Sequence, residues 1–178
     1  MKKFGFAFLI GVLWLGLHAA AARAHYLFIA ITPPAEAGRA AEVYFSELAQ
    51  AGDPRFIDKI AHTQLWAQKT PGDFQPLKVL KAADRLRAYL QPSGSVTVVG
   101  ACEYGVIARA KEVPFLLRHY PKAIAGKPEE LNRMQPRPDS PLEIMATVED
   151  KQITFIALRQ GKPIPGAVFT TIDVDLTN

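Results

Sequence analysis

The sequence predicts an all-β protein, and three observations carry that prediction. Apolar residues recur in short runs or at every second position, as in residues 26–31 and around Val43 and Phe45. Turn-forming residues separate these runs at short intervals, for example at residues 70–73 and 91–94. Only short segments have a helical character. Short strands at this spacing indicate a β-sandwich or a barrel.

The predicted elements follow one another in a simple order. The strand-length segments before the first proline-rich region are residues 26–31, 42–46, 63–69, 74–80, 85–90, 95–102, 104–109 and 114–120. A short helix is predicted over residues 53–61, because Asp53 can cap it and Pro54 suits the first helical position.

A proline-rich linker and a smaller β-unit follow. Four prolines between residues 125 and 141 exclude a long helix or a central strand, although residues 129–134 could form one or two helical turns. Three more strands are predicted at residues 142–148, 152–159 and 167–176, with a tight turn at 149–151 and a longer one at 160–166. Three strands cannot close a sandwich of their own, so either they pack back onto the first domain or they are the front part of a longer second domain, and we expect a partial second β-domain.

The predicted domain division is therefore a leader at residues 1–24, a β-sandwich domain at 25–125, a linker at 126–141 and the partial domain at 142–178. The leader has the three parts of a secretory signal: two lysines, an apolar run at residues 4–17, and small residues at Ala22 and Ala24. We expect cleavage after Ala24 and a periplasmic or secreted product that would touch the membrane only through an uncleaved signal segment.

Charge and cysteine content narrow the function classes. From residue 25 onward the chain has 18 Lys and Arg against 17 Asp and Glu, so it has no charge excess for nucleic acid. Cys102 is the only cysteine, which excludes an internal disulfide. The simplest interpretation is a buried apolar strand residue, and the alternatives are a soft metal ligand or an intermolecular bridge.

Cleavage after Ala24 would create a metal chelate at the new terminus. The α-amine and the imidazole of His25 can bind one ion in a six-membered ring, and copper(II) or nickel(II) accepts such nitrogens in a square-planar set. His62 and His119 are the other candidate ligands. Each histidine also has an ordinary interpretation: a trimmed terminus, a solvated loop residue and a strand end, respectively. Zinc-type ligand spacings do not occur in the sequence.

Other chemistries have less support. Trp66, Tyr89 and Tyr104 could form a sugar-stacking face, but core packing explains them more simply. No nucleophile, phosphate-loop or paired-carboxylate motif is present, so we expect a protein that is not an enzyme. A copper oxidase built on an N-terminal histidine would need two histidines that converge on one open site.

Several segments, taken in order, resemble the secreted family called domain of unknown function 4198, some of whose members are associated with nickel and cobalt uptake. The matching segments are residues 24–29, 43–47, 57–61, 104–106, 115–123, 142–144 and 161–163. This resemblance implies an all-β first domain and an immunoglobulin-like or transthyretin-like second domain, which is shorter here than in the family.

A second resemblance lies at the front of the chain. His25, residues 32–36 and residues 45–47 are similar to the start of periplasmic copper-resistance proteins of the C type. Those proteins are small β-sandwiches that bind copper through a mature N-terminal histidine. The sequence thus predicts an exported binding or accessory protein for nickel or copper, with a transition-metal ion or an envelope transporter component as partner. The alternative is a structural or surface-interaction β-module with no metal role.

Overall fold

The computed structural model describes residues 25–35, 38–109, 112–150 and 152–170. The expected leader at residues 1–24 and most of the last expected strand, residues 171–176, lie outside these ranges. In the described parts the helices are α1 (Ile57–Ile60) and α2 (Pro128–Leu131), and a 3₁₀ turn spans Pro54–Phe56. The strands are β1 (Tyr26–Ile31), β2 (Arg39–Ser46), β3 (Gln64–Gln68), β4 (Phe74–Pro76), β5 (Leu80–Lys81), β6 (Leu86–Leu90), β7 (Val96–Ile107), β8 (Phe115–His119), β9 (Lys122–Ala125), β10 (Leu142–Glu149), β11 (Gln152–Arg159) and β12 (Lys162–Pro163).

The prediction of an all-β chain is confirmed, because strand residues far outnumber helical residues in the described ranges and the strands form three antiparallel sheets. The first sheet has the order β1-β2-β6-β5. Its central strand β2 alternates as predicted, with Val43 and Phe45 in the main core. Glu42 and Tyr44 on the other face are buried as well, because Arg85 lies over them.

The second sheet has the order β4-β3-β7-β8, and β9 pairs with the other end of β7. The prediction of separate strands at 95–102 and 104–109 is wrong, since β7 runs unbroken through both with an irregularity between Glu103 and Gly105. The predicted strand at 74–80 is also wrong. Its first part, β4, pairs with β3, whereas its end enters β5 in the first sheet.

One hydrophobic core joins these two sheets. It contains Val43 and Leu86 from the first sheet, Leu65 and Val98 from the second, and Ile60 from α1, all with at most 2 % exposure. The predicted helical segment at 53–61 is confirmed as the 3₁₀ turn followed by the single turn of α1.

The third sheet has the order β10-β11-β12. The tight turn after Glu149 is confirmed, because Glu149 pairs with Gln152 across two residues. The longer predicted turn at 160–166 is shorter in the structure: Arg159 pairs directly with Lys162 across Gln160 and Gly161. Residues 167–170 of the last predicted strand are not strand.

The proline-rich segment folds back onto the second sheet. Its helical turn is present as α2, and Leu131 and Met134 are buried. Lys122 Nζ lies 2.6 Å from Glu143 Oε1, which ties β9 to β10. None of the helices in the described ranges has the length and apolar character needed to cross a membrane.

Candidate functional site

His25 lies directly before β1, at the end of the first sheet that faces α1. Tyr26 pairs with Ser46, so His25 sits beside the end of β2. Its ring centroid is 5.4 Å from that of Phe45 and 5.2 Å from that of Phe56. In the 178-residue chain the backbone nitrogen of His25 is an amide, and an amine exists there only after cleavage behind Ala24.

His119 ends β8 and reaches the same place from the second sheet. It pairs with Cys102 of β7, so its side chain lies on the core face, where Cys102 is buried. Its ring meets Phe45 edge-on with centroids 5.7 Å apart, and Tyr104 edge-on at 6.1 Å. The Nε2 atom is buried without a hydrogen-bond partner among the described residues. Burial lowers the pKa of His119, which favours the neutral ring.

The two histidines therefore line one cleft of about 490 Å³. Both imidazoles contact the ring of Phe45. Tyr104 stacks on Phe45 at 5.0 Å and completes an aromatic wall. Ile107, Phe115 and Leu117 of β7 and β8 add apolar side chains to the lining, and Arg109, just after β7, adds a charged one.

The charges around this cleft are mixed. Lys59 Nζ lies 5.3 Å from the Phe56 ring centroid and 5.8 Å from that of Tyr104. Asp53 is ionised: hydrogen bonds from Arg55 lower its pKa to about 2, and the charge of His25 contributes a smaller part. Arg109, which lies 3.9 Å from Glu112, also lines the cleft. A bare cation would thus meet two cationic side chains, Lys59 and Arg109, and the nitrogen donors must supply the binding free energy.

The structure places His62 elsewhere. Its Nε2 atom lies 2.7 Å from the carbonyl oxygen of Glu103 and 3.8 Å from Cys102 Sγ. It lines a separate cleft, which shares no residue with the one at His25. Cys102 is 3 % exposed, and burial raises the pKa of its thiol, so it is the buried strand residue that the sequence predicts.

A metal ion would find two imidazoles in the His25 cleft. Among the residues that the structure describes, no three His, Cys, Asp or Glu side chains stand close enough to form a complete site. The buried, unpartnered Nε2 of His119 fits a metal ligand, because a coordinate bond would satisfy it. The amine of a processed His25 would be the third nitrogen, which suits copper(II) or nickel(II).

The three aromatic residues considered for sugar stacking do not share a surface. Arg137 lies over the Trp66 ring, with the guanidinium carbon 3.7 Å from the centroid. Tyr89 is 56 % exposed on β6, and Tyr104 stands in the His25 cleft. A sugar-stacking face built from these three residues is therefore excluded by their placement.

Sequence reasoning did not find the aromatic wall of the cleft. The sequence marks Phe45 only as an apolar residue of a predicted strand, and Phe56 falls only within the predicted short helix. Their aromatic identity is the one signal that the sequence offers, and it becomes informative only when the two sheets are brought together.

Comparisons with known proteins gave no relatives. No family profile matches the chain, and neither the curated proteins nor the solved structures contain a significant match.

Proposed function

We propose that this chain is an exported cell-envelope binding protein that holds copper or nickel between His25 and His119. The observation that carries the proposal is the shared cleft, in which the buried Nε2 of His119 has no partner among the described residues. The ordered motif resemblance to the nickel- and cobalt-associated family supports the same function. The same resemblance supports an immunoglobulin-like or transthyretin-like second domain and an envelope transporter component as the partner, and the common core of the first two sheets supports a β-sandwich as the first domain.

Each residue of the His25 cleft would have a distinct role in metal binding. After cleavage behind Ala24, the amine and the imidazole of His25 form the chelate, and His119 supplies a nitrogen from the opposite sheet. Phe45 and Tyr104 hold the His119 ring edge-on and limit access of water. A bound copper or nickel ion would act as cargo. Acid would release it, because the nitrogen donors must lose protons to bind.

The test uses protein whose first residue is His25 and a matched form with one extra methionine before it. Copper(II) and nickel(II) are titrated against each form in competition with a chelator. We expect the extra residue to weaken binding by about a hundredfold or more, because it converts the amine to an amide. His119→Gln should weaken binding by about tenfold or more, whereas His62→Gln should not change it.

Three outcomes would contradict the proposal. Equal affinity with and without the extra methionine would remove the role of the amine. Equal affinity of the His62→Gln and His119→Gln variants would remove the role of the shared cleft. Peroxide formation by the copper-loaded protein with a reductant, lost in His119→Gln, would identify an oxidase and overturn the non-enzymatic part.

The alternative, a surface-interaction β-module, is favoured by one observation. One face of the β10–β11 hairpin leaves large apolar side chains in contact with solvent, among them Ile144 at 44 %, Ile153 at 57 % and Phe155 at 46 % exposure. Sedimentation of the protein with and without the substitution Ile153→Ser separates the two functions. Self-association that this change abolishes, together with an absence of metal binding, would favour the module.

A further inference from the structure

A second cleft, of about 530 Å³, lies on the far side of the second sheet from the core. One wall is β3, which contributes Gln64 and Trp66, and the opposite wall is the segment from Arg137 to Pro141. This cleft shares no lining residue with the His25 cleft. The proposed metal site therefore assigns no role to the polar side chains of this second cleft.

Arg137 is the most unusual group in this cleft. Its guanidinium carbon lies 3.7 Å from the centroid of the Trp66 ring, so the charged plane rests on an aromatic surface. Its backbone nitrogen donates to Glu143 Oε2 at 2.9 Å, and Glu143 is itself buried against Lys122. The side chain is thus anchored at both ends, yet its guanidinium forms no hydrogen bond or ion pair with any residue that the structure describes.

The other charged groups of the cleft are already engaged, with one exception. Arg118 pairs with Glu103, with its Nε 2.9 Å from Oε2, and His62 Nε2 contacts the carbonyl oxygen of Glu103. Asp139, by contrast, makes no ion pair within the described part of the chain. The cleft therefore presents one uncommitted cation, Arg137, and one uncommitted anion, Asp139, two residues apart on the same wall.

We propose that this cleft binds a small zwitterion of the free amino-acid type. The fixed plane of Arg137 presents parallel N–H donors that suit a carboxylate, and Asp139 accepts from the ammonium group of the same ligand. A polyanion such as citrate would meet the Asp139 carboxylate, and a simple cation would meet Arg137. A neutral sugar would leave both charges without a partner and would desolvate them at a cost in free energy.

The fluorescence of Trp66 can report binding, because Arg137, which would contact the ligand, lies against the Trp66 ring. The chain has two tryptophans, so the substitution Trp14→Phe leaves Trp66 as the single emitter whether or not the leader is removed. L-Glutamine is titrated into this protein in the presence of a metal chelator, and the Trp66 emission is followed. We expect a saturable change.

Two pairs of variants locate the binding groups. Arg137→Gln and Asp139→Asn should each weaken L-glutamine binding by about tenfold or more, the loss expected for one charge-assisted contact. The matched controls are Arg133→Gln, which removes one positive charge, and Glu129→Gln, which removes one negative charge, both at exposed positions of the neighbouring helical segment. Each should leave the affinity for L-glutamine within about twofold of the unsubstituted protein. Arg137→Lys keeps the charge without the planar fork, and it should bind more weakly than the unsubstituted protein even when its thermal melt is unchanged.

Several results would overturn this proposal. One is an emission that does not respond to L-glutamine. Another is binding of citrate or maltose that equals or exceeds that of L-glutamine. A third is an equal loss of affinity in the exposed control variants. Because the titration contains a chelator and monitors Trp66, its failure would leave the metal proposal for the His25 cleft untouched.

Discussion

At the scale of single residues, Glu42 shows how this fold accommodates a buried charge. It lies on the outer face of the first sheet and is 5 % exposed. Burial by itself would raise its pKa, but hydrogen bonds from Tyr44, Arg87 and Arg85 outweigh that effect and lower it. Arg85 Nη1 lies 2.9 Å from Glu42 Oε2, and Arg87 bonds the other oxygen. The carboxylate is therefore ionised in the folded protein.

We predict that Glu42→Gln lowers the free energy of unfolding by about 2–3 kcal/mol at pH 7, because two arginines lose their shared anion. The pH dependence follows from the lowered pKa. The stabilisation from Glu42 is present above the unfolded pKa of 4.5 and is lost as pH falls through the lower folded value. Urea denaturation at a series of pH values measures both effects.

The control for this prediction is Glu112→Gln, which removes an exposed carboxylate with only a 3.9 Å contact to Arg109. This substitution should change the free energy of unfolding by less than about 0.5 kcal/mol. If Glu42→Gln is no more damaging than this control, or if it loses stability in acid as steeply as the unsubstituted protein, the carboxylate of Glu42 does not stabilise the fold in the way described.

At the scale of elements, the connection from β9 to α2 depends on a glycine. Gly126 has a φ of +141°, a conformation that side chains disfavour. A Cβ atom there would stand 2.5 Å from the Cα of Ser95. The Ser95 hydroxyl accepts from the backbone of Lys127 at 2.9 Å, so this close approach also fixes the start of the helical turn. The proline-rich segment is thereby held against the beginning of β7.

Gly126→Ala should therefore destabilise the protein by about 3 kcal/mol or more, since backbone strain and overlap with Ser95 add together. The matched change is Gly94→Ala, at φ +89° with no heavy atom within 4 Å of the new Cβ. This change introduces backbone strain without steric overlap, and it should lower the free energy of unfolding by about 1–2 kcal/mol. Thermal unfolding of both variants provides the comparison. Equal losses would mean that the contact with Ser95 relaxes freely.

At the scale of the whole molecule, the third sheet is attached through a buried ion pair. Glu143 is 4 % exposed at its side chain and Lys122 is 12 % exposed. Glu143 also accepts from the backbone nitrogen of Arg137 at 2.9 Å. The Asn132 side chain adds two bonds to the backbone of Val148, at 2.8 Å and 2.9 Å. These contacts connect β9, the proline-rich segment and β10.

We predict that Glu143→Ala loosens the third sheet selectively. Lys122 would remain as a largely buried cation without its partner, which costs about 3 kcal/mol or more. Hydrogen exchange should accelerate in β10 and β11 while β2 and β7 stay protected. Glu149→Ala removes an exposed carboxylate from the same strand and should leave exchange unchanged. Uniform acceleration across all three sheets would show that the molecule unfolds as one unit instead.

The sequence predicted those features that depend on residues close together in the chain, and it failed for those that depend on distant residues. Local patterns predicted the strands around Val43, the cap at Asp53 and the hairpin after Glu149, because alternation, capping and turn geometry are set by neighbouring residues. Sequence reasoning failed where one strand continues through a predicted break, as β7 does past Glu103. There the partner strand β8 supplies the hydrogen bonds, and no local pattern indicates that partner.

The candidate sites divide in the same way. The sequence by itself determined the all-β character and marked His25 and His119 as residues of interest, since both depend on residue type and short-range order. Only the tertiary structure decided that His119 shares a cleft with His25 while His62 does not, and that Arg137 rests on Trp66. These groups are far apart in the chain, and the pairing of strands through a common core is what brings them together.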